Sequence, residues 1–177
     1  MATTIWNLDP THSEVGFKVK HMMITNVSGS FGTFGVQVSS DGADFTKSSI
    51  EFTADVTSVS TGNEQRDGHL KSGDFFDAEK FPKISFSSTS FEKKSDDEYV
   101  LKGNLTIKDI TKSVQLSVEY GGIGKDPWGN EKAGFTITGK INRTDFGLNW
   151  NAALETGGVL VSEEIKLSAE IQLVKKV

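Results

Sequence analysis

Apolar and polar residues alternate along most of the chain with a period of two, and helical periodicity is nearly absent. Residues 14–21, for example, read EVGFKVKH, with apolar side chains at every second position. Because successive side chains of a strand point to opposite faces, this pattern predicts strands with one apolar and one polar face. It recurs about eight times, at residues 15–21, 31–38, 50–56, 84–86, 105–107, 114–120, 135–141 and 165–173. The pattern predicts an all-β protein.

The number of these strands bears on the architecture. Eight antiparallel strands suit an up-and-down barrel, and a chain of 177 residues fits one such domain. Glycines within strand patterns, at Gly16, Gly103 and Gly139, favour the bends and bulges that a closed barrel needs. A β-sandwich is the alternative, since it also uses short alternating strands. We therefore expect a single domain over residues 1–177, folded as an eight-stranded antiparallel barrel.

One polar segment breaks the alternation. The run Thr61-Gly62-Asn63-Glu64 matches a capping box, in which the Thr hydroxyl and the Glu carboxylate satisfy free amides at a helix start. The motif predicts a short helix that ends at Gly73. Two helical turns are not stable alone in water. We therefore expect this helix to pack on the barrel through Leu70, Phe75 and Phe76.

The composition excludes several classes of function. A formal net charge of −5 argues against nucleic-acid binding, which depends on many Lys and Arg contacts. The chain has no cysteine, which excludes disulfides, thiol nucleophiles and thiolate metal sites. The sequence contains no run of 18 consecutive apolar residues, so it predicts no membrane-spanning helix. The first residues lack the basic and apolar regions of a secretory signal, so we expect a soluble cytoplasmic protein, with a periplasmic protein lacking its export signal as the alternative.

The titratable residues form no recognisable catalytic or metal site. Nine strand steps would separate His12 from His21 by roughly 30 Å and would place them on opposite faces. Asp74 and Asp77 are better explained as turn caps than as paired carboxylates. No nucleophile elbow, zincin motif or P-loop occurs. We therefore predict a binding protein, not an enzyme, with no catalytic residue, no metal and no cofactor.

Charged residues in the predicted helix allow two interpretations. Arg66, Asp67 and His69 would lie at the rim of an apolar opening, where they could bind a polar headgroup. They could equally tie the helix to neighbouring strands or face water. Arg143, which follows a predicted strand, has the same two interpretations, and the structural one is favoured.

The apolar face of the strands is the remaining candidate site. The chain has 12 Phe and 3 Trp, so the interior is bulky, and an eight-stranded barrel can be filled by its own side chains. A filled structural core is therefore the alternative to a ligand cavity. Inward alternation predicts a cavity wall made of Phe17, Val19, His21, Phe31, Phe52, Val56, Phe86, Ile107, Val118, Phe135 and Ile137. Three residues of the helical segment, Arg66, His69 and Phe76, complete the predicted binding site.

Four motifs in order resemble the YceI-like proteins. The first is D-x-x-H-S-x-x-x-F-x-x-x-H at residues 9–21, and the third and fourth are G-x-L-T-I at 103–107 and R-x-x-F-G at 143–147. The second block contains Thr61-Gly62, Arg66-Asp67, His69-Leu70, Phe75-Phe76-Asp77 and Phe81-Pro82. The resemblance covers nearly the whole chain. It departs at Asp109, where the family often has Gly, and this affects only the geometry of a turn.

The resemblance implies a lipocalin-like barrel with an elongated hydrophobic tunnel and one short helix near its mouth. YceI-like proteins bind polyisoprenoids or other long-chain amphiphiles, so we expect a polyisoprenoid or an isoprenoid quinone-type lipid as the partner, for carriage, storage or sensing. The alternatives are fatty acids or fatty amides in the same tunnel, a structural or protein-interaction barrel with a filled core, and an enzyme acting on an isoprenoid. A homodimer remains open.

Overall fold

The computed structural model describes residues 3–22, 24–42, 44–151 and 161–176. Within these ranges the strands are accompanied by one α-helix, α1 (Glu64–Lys71), and three short 3₁₀ turns (Pro10–His12, Val56–Ser58 and Arg143–Phe146). The strand segments are β1 (Thr3–Leu8), β2 (Glu14–His21), β3 (Thr25–Phe31), β4 (Phe34–Asp41), β5 (Asp44–Asp55), β6 (Val59–Ser60), β7 (Lys83–Lys93), β8 (Glu98–Ile107), β9 (Ile110–Lys125), β10 (Glu131–Asn142) and β11 (Val161–Lys175).

The strand segments join into eight antiparallel barrel strands in chain order. β1 and β2 both pair with β11 on one edge. On the other edge β1 pairs with β4 and β2 pairs with β3. β1–β2 and β3–β4 are therefore two bent strands that form one hairpin. β5–β6 forms the third barrel strand, followed by β7, β8, β9, β10 and β11. Because the last strand pairs with the first, the sheet closes. This confirms the predicted eight-stranded barrel and excludes the sandwich.

The bend between β1 and β2 is hydrogen-bonded to β11 through one residue, Gln172. The backbone N–H of Asp9 donates to the carbonyl of Gln172 at 2.9 Å. Ser13 Oγ accepts from the N–H of Gln172 at 2.9 Å and donates to its carbonyl at 3.4 Å. The buried Asp9 carboxylate is held by Lys132 Nζ at 2.6 Å and lies 2.9 Å from His12 Nδ1. Asp9, His12 and Ser13 of the first motif therefore form a structural corner.

This corner predicts an acid-sensitive contribution to stability. The hydrogen bond from Lys132 holds the pKa of the Asp9 carboxyl well below its ordinary range, with smaller effects of the same sign from His12 and Thr11 that together outweigh burial. A group with a depressed folded-state pKa stabilises the fold fully above its unfolded pKa of about 3.9, and this contribution is lost as the pH falls toward the folded value.

We expect Asp9→Asn to lower the free energy of unfolding at pH 7 by on the order of 2 kcal/mol and to flatten its pH dependence between roughly pH 5 and pH 2. Urea denaturation across that range measures both effects. The control is Asp96→Asn, because the side chain of Asp96 is fully exposed and we expect a change within about 0.5 kcal/mol. Parallel pH profiles for the wild type and Asp9→Asn would contradict the prediction.

The helix forms where the sequence predicts it, but its N-terminal cap differs. Asn63 is the N-cap, and its side chain accepts from the N–H of Arg66 at 3.0 Å. Thr61 instead donates through its N–H and its hydroxyl to Asp67 Oδ1 at 2.8 and 2.6 Å. The predicted capping box is therefore wrong by two residues, because the Thr hydroxyl has a better acceptor inside the helix.

The C-terminal end of the helix packs on the barrel. It stops at Lys71 with Ser72 as its C-cap, two residues before the predicted stop. Leu70 and Phe76 are partly buried against the core, and Phe75 is buried within it. This confirms the three residues that the sequence predicts as the base of the helix.

Aromatic rings close the end of the barrel opposite the helix. Phe45 lies 5.3 Å from Trp6, 5.6 Å from Tyr120 and 5.2 Å from Phe135, measured between ring centroids. The indole N–H of Trp6 donates to Ser40 Oγ at 2.9 Å. Burial, reinforced by a neighbouring tyrosine, raises the pKa of the Tyr120 hydroxyl. We call this cluster the aromatic floor, and it leaves the helix end as the mouth.

Candidate functional site

The barrel interior holds an elongated cavity of about 610 Å³. This lies within the 300–1,000 Å³ typical of small-molecule sites. On β11 the wall runs through alternate residues from Ile165 to Leu173, which is about 26 Å of strand and roughly 20 Å along the axis of a barrel whose strands tilt by about 40°. The core is therefore not filled by its own side chains.

The structure places nearly all the predicted wall residues on this cavity. Of the predicted site, the cavity-lining residues are Phe17, Val19, His21, Phe31, Phe52, Arg66, His69, Phe76, Phe86, Ile107, Val118, Phe135 and Ile137. Val56 is the exception. Its side chain is 1% exposed but lies in the 3₁₀ turn that follows β5, where the backbone N–H donates to the carbonyl of Pro82 at 2.9 Å. The turn ends the strand alternation, so Val56 packs in the core and not on the cavity wall.

The period-two pattern does not predict the inward position of two phenylalanines at the floor of the cavity. Phe45 and Phe91 are both buried and both line the cavity. The register of β4 with β5 shifts between Ser39 and Asp41, and that of β7 with β8 shifts between Ser88 and Ser90. Each irregularity reverses the inward and outward positions beyond it. Extrapolating alternation from the middle of either strand therefore turns these rings outward.

Polar lining residues gather at the mouth. His21 ends β2 there, and helix α1 with the loop before it adds a second side of the opening, through Thr61, Asn63, Gln65, Arg66 and His69. The described residues that line the cavity include no Asp or Glu. The mouth is thus rich in hydrogen-bond donors and cationic groups, whereas the rest of the wall is almost entirely apolar.

Arg66 is anchored but keeps a side open to the cavity. Its Nε donates to Thr61 Oγ1 at 2.8 Å and its Nη2 to the Thr61 carbonyl at 2.9 Å. Within the described part of the chain Nη1 has no hydrogen-bond partner, and the residue is exposed. The two interpretations of the sequence are therefore compatible, because two nitrogens of the guanidinium bind Thr61 while the residue also lines the cavity.

His69 is fixed in the aromatic rim of the cavity. Its ring packs edge-on against Trp150 at 4.6 Å and Phe75 at 5.1 Å between centroids. Its Nε2 lies 2.9 Å from Asp74 Oδ2. Trp150 was not predicted as a wall residue, because it follows β10 in an irregular segment where no periodicity marks which side chains point inward. The side chain of Asp74, which the sequence predicts as a turn cap, therefore contacts His69.

Arg143 is buried at the same end of the barrel without an acidic partner within 4.0 Å among the described residues. Its side chain is held by four backbone carbonyls at 2.6–3.2 Å, those of Ser162, Leu148, Trp150 and Val161. The guanidinium carbon also lies 5.9 Å from the centroid of the Phe75 ring. Burial lowers the pKa of the guanidinium. The geometry favours the structural interpretation, although Arg143 also forms part of the cavity wall.

The described residues provide little for other kinds of site. In the ranges that the structure covers, no group of three or more His, Asp or Glu side chains is arranged to hold a metal ion. Across the same ranges, no helix has the length and apolar character needed to cross a membrane. Among the described residues, the titratable side chains on the cavity wall are those of two histidines and two arginines.

Comparisons with known proteins agree with this geometry. Residues 6–173 match the family model of the YceI-like domain. UPF0312 protein SA2479 of Staphylococcus aureus is 42% identical over 170 residues, covering 96% of each chain. The crystal structure of the Campylobacter jejuni YCEI protein superposes with a TM-score of 0.75 at 35% identity, covering 96% of this chain and 97% of the other.

A more distant structural neighbour has a described ligand class. It is a polyisoprenoid-binding domain from Saccharophagus degradans implicated in plant cell wall breakdown. The TM-score is 0.68 at 14% identity, with 97% of this chain and 98% of the other covered. At that identity the similarity is one of fold.

Proposed function

This chain belongs to the YceI-like family, and on that premise we propose that it binds a long-chain amphiphile in the barrel interior, with a polyisoprenoid as the first candidate. The observation that carries the proposal is the open apolar cavity of about 610 Å³ between the mouth and the aromatic floor. The Saccharophagus degradans neighbour, described as polyisoprenoid-binding, supports the choice of ligand class.

Burial of the tail provides the affinity. Each buried methylene is worth about 0.8 kcal/mol, so about ten of them contribute roughly 8 kcal/mol before the cost of association is subtracted. Because this term is non-directional, it selects chain length and thickness more than chemical identity. The apolar wall therefore binds the tail, and discrimination between headgroups falls to the mouth.

The arrangement of the wall orients the guest. The aromatic floor closes one end, and the polar lining residues lie at the other. A buried polar headgroup without partners is costly, so the tail enters first and the headgroup stays at the mouth beside Arg66 and His69.

Binding, as opposed to catalysis, is the function that this wall supports. General acid–base or nucleophilic chemistry needs a titratable pair or an activated nucleophile that reaches the guest. His69 contacts Asp74, but its ring is packed edge-on against Trp150 and Phe75 at the rim. We therefore assign His69 to shaping the mouth.

Solvent extraction of the purified protein followed by mass spectrometry tests the proposal. We expect a co-purifying long-chain lipid in about equimolar amount, and the extracted protein should take up a fluorescent fatty probe. A polyisoprenoid in the extract supports the first candidate, whereas a fatty acid or fatty amide supports the same cavity with a different guest. An empty extract together with no probe uptake would overturn the proposal.

The free edge of Arg66 predicts a headgroup preference. We expect Arg66→Ala to weaken binding of an anionic fatty acid by up to about fivefold, because an exposed charge contact contributes at most about 1 kcal/mol. A fatty alcohol of the same chain length should be affected less than about twofold. Competition against the fluorescent probe measures both. The control is Lys71→Ala on the same helix, because the side chain of Lys71 does not line the cavity. Equal losses of affinity for both ligands would show that Arg66 acts only through its contacts to Thr61.

A further inference from the structure

Two large aliphatic side chains are exposed on the β2–β3 turn beside the mouth. Met22 is 44% exposed and Ile24 is 75% exposed. His21, immediately before them, lines the cavity. The turn is closed by a hydrogen bond from the N–H of Ile24 to the carbonyl of His21 at 3.2 Å. The apolar tip of this hairpin therefore stands in water directly at the entrance to the barrel.

A row of lysines crosses three neighbouring strands on the outer face of the barrel, at the same end as that tip. In the antiparallel register Lys166 lies directly opposite Lys18 on one side and Lys140 on the other. All three side chains are exposed, as is that of Lys20, two residues nearer the tip. Side chains directly opposite in a sheet are about 5 Å apart at Cβ, and like charges in that position destabilise the pair. The sheet therefore concentrates positive charge here at some cost to its own stability.

Little of this charge is neutralised within the described residues. Lys140 Nζ lies 3.8 Å from Glu164. In the described ranges of the chain, Lys18, Lys20 and Lys166 have no carboxylate oxygen within 4.0 Å. The row is thus a local basic surface on a chain whose formal net charge is −5.

We propose that this surface docks the mouth of the barrel on an anionic lipid bilayer. The docking face consists of Lys18, Lys20, Met22, Ile24, Lys140 and Lys166. The lysines match the negative charge of phospholipid headgroups, and the aliphatic tip matches the boundary between headgroups and acyl chains. A protein partner is a poorer match, because protein interfaces are depleted in Lys and rely on aromatic and Arg anchors.

Docking in this orientation has a consequence for exchange of the guest. The hairpin tip would hold the mouth against the bilayer, so that a lipid tail could pass between bilayer and cavity without crossing bulk water. The docking itself depends only on the exposed residues and not on which guest the cavity holds. Its failure can therefore be distinguished from failure of the proposed ligand binding.

Vesicle flotation tests the docking face. Vesicles of phosphatidylcholine are compared with vesicles in which roughly one third of the lipid is anionic phosphatidylglycerol, and we expect binding only to the latter, weakening as salt is raised. A lysine near such a surface contributes about fivefold to partitioning, so Lys18→Gln with Lys166→Gln should reduce it roughly 25-fold. Ile24→Ser should reduce it on the order of tenfold, because it removes the inserted side chain.

The opposite end of the barrel offers matched controls. Ile123 is 41% exposed, and Lys94 and Lys125 are exposed near the aromatic floor. Ile123→Ser, and Lys94→Gln with Lys125→Gln, make the same chemical changes there and should leave partitioning within about twofold. Circular dichroism checks that every variant is folded.

Three results would overturn the docking face. The first is that the wild type does not float with anionic vesicles. The second is that the docking-face variants and the control variants lose equal amounts of vesicle binding. The third is that vesicle binding is absent while the protein self-associates in sedimentation and Ile24→Ser abolishes that association. The last result would assign the hairpin tip to a second copy of this chain. If flotation fails but extraction still yields a lipid, only the docking face is lost.

Discussion

Phe52→Asp is expected to abolish uptake of a fluorescent fatty probe, with a loss of affinity of at least roughly 100-fold. Phe52 lies on β5, lines the cavity and packs against Phe34 at 6.3 Å between ring centroids. A carboxyl at this position must be desolvated by an apolar tail, and that costs several kcal/mol whether the group is charged or shifts its pKa and becomes neutral. Titration of the probe at constant pH measures the loss.

A neighbouring residue gives the control. Thr53 follows Phe52 but is exposed on the outer face, so Thr53→Asp places the same carboxyl in water and should leave the dissociation constant within about twofold. Ala169→Phe is a second test without charge, since Ala169 lines the cavity from β11 and the larger ring should narrow the bore. Normal probe uptake by folded Phe52→Asp and Ala169→Phe would place the guest outside the cavity.

Arg143→Met is expected to lower the free energy of unfolding by roughly 3–5 kcal/mol. The methionine fills a similar volume but leaves buried carbonyls without their donor, each costing about 1–3 kcal/mol. The carbonyl of Val161 keeps a second donor, Asn151 Nδ2 at 2.7 Å. The total cost of the unpaired carbonyls is therefore less than four full penalties. Urea denaturation of the wild type and the variant measures the difference.

Lysine and a neighbouring residue separate charge from geometry at this site. Arg143→Lys keeps the charge but cannot reproduce the fork of donors that reaches several carbonyls, so it should recover less than half of the lost stability. Lys140→Met removes an exposed charge from the same end of β10 and should cost less than about 0.5 kcal/mol. A similar small loss for Arg143→Met would show that the carbonyl contacts contribute little.

Alternation predicts well which side chains line the cavity wherever a strand is regular. Phe17 and Val19 on β2 are examples, because β2 continues without interruption to His21 at the mouth. The pattern fails at Val56, where a 3₁₀ turn ends β5, and at Phe45 and Phe91, beyond irregularities in register. A bulge leaves no mark in the sequence as distinct as the alternation that it interrupts, so these errors arise at the ends of strands.

Three polar residues of the family motifs have structural roles, whereas motif residues such as Phe17 and His69 line the cavity. Asp9 and Ser13 fasten the corner between β1 and β2 to β11, and Thr61 is bound to both Asp67 and Arg66 beside the helix. Their spacing predicts the family, but nothing in the spacing identifies the partner that each side chain contacts. Those partners lie on other strands or across a loop, and only folding brings them together.

The apolar interior shows where sequence and tertiary structure divide. The sequence alone determined an all-β chain with eight inward-facing apolar stripes, because side chains on a strand alternate faces and burial of the apolar face drives folding. Whether those stripes meet or leave room between them depends on closure of the barrel and on the bulges that turn rings such as Phe45 toward the floor. The cavity of about 610 Å³ is the space left by that packing, so only the tertiary structure decided it.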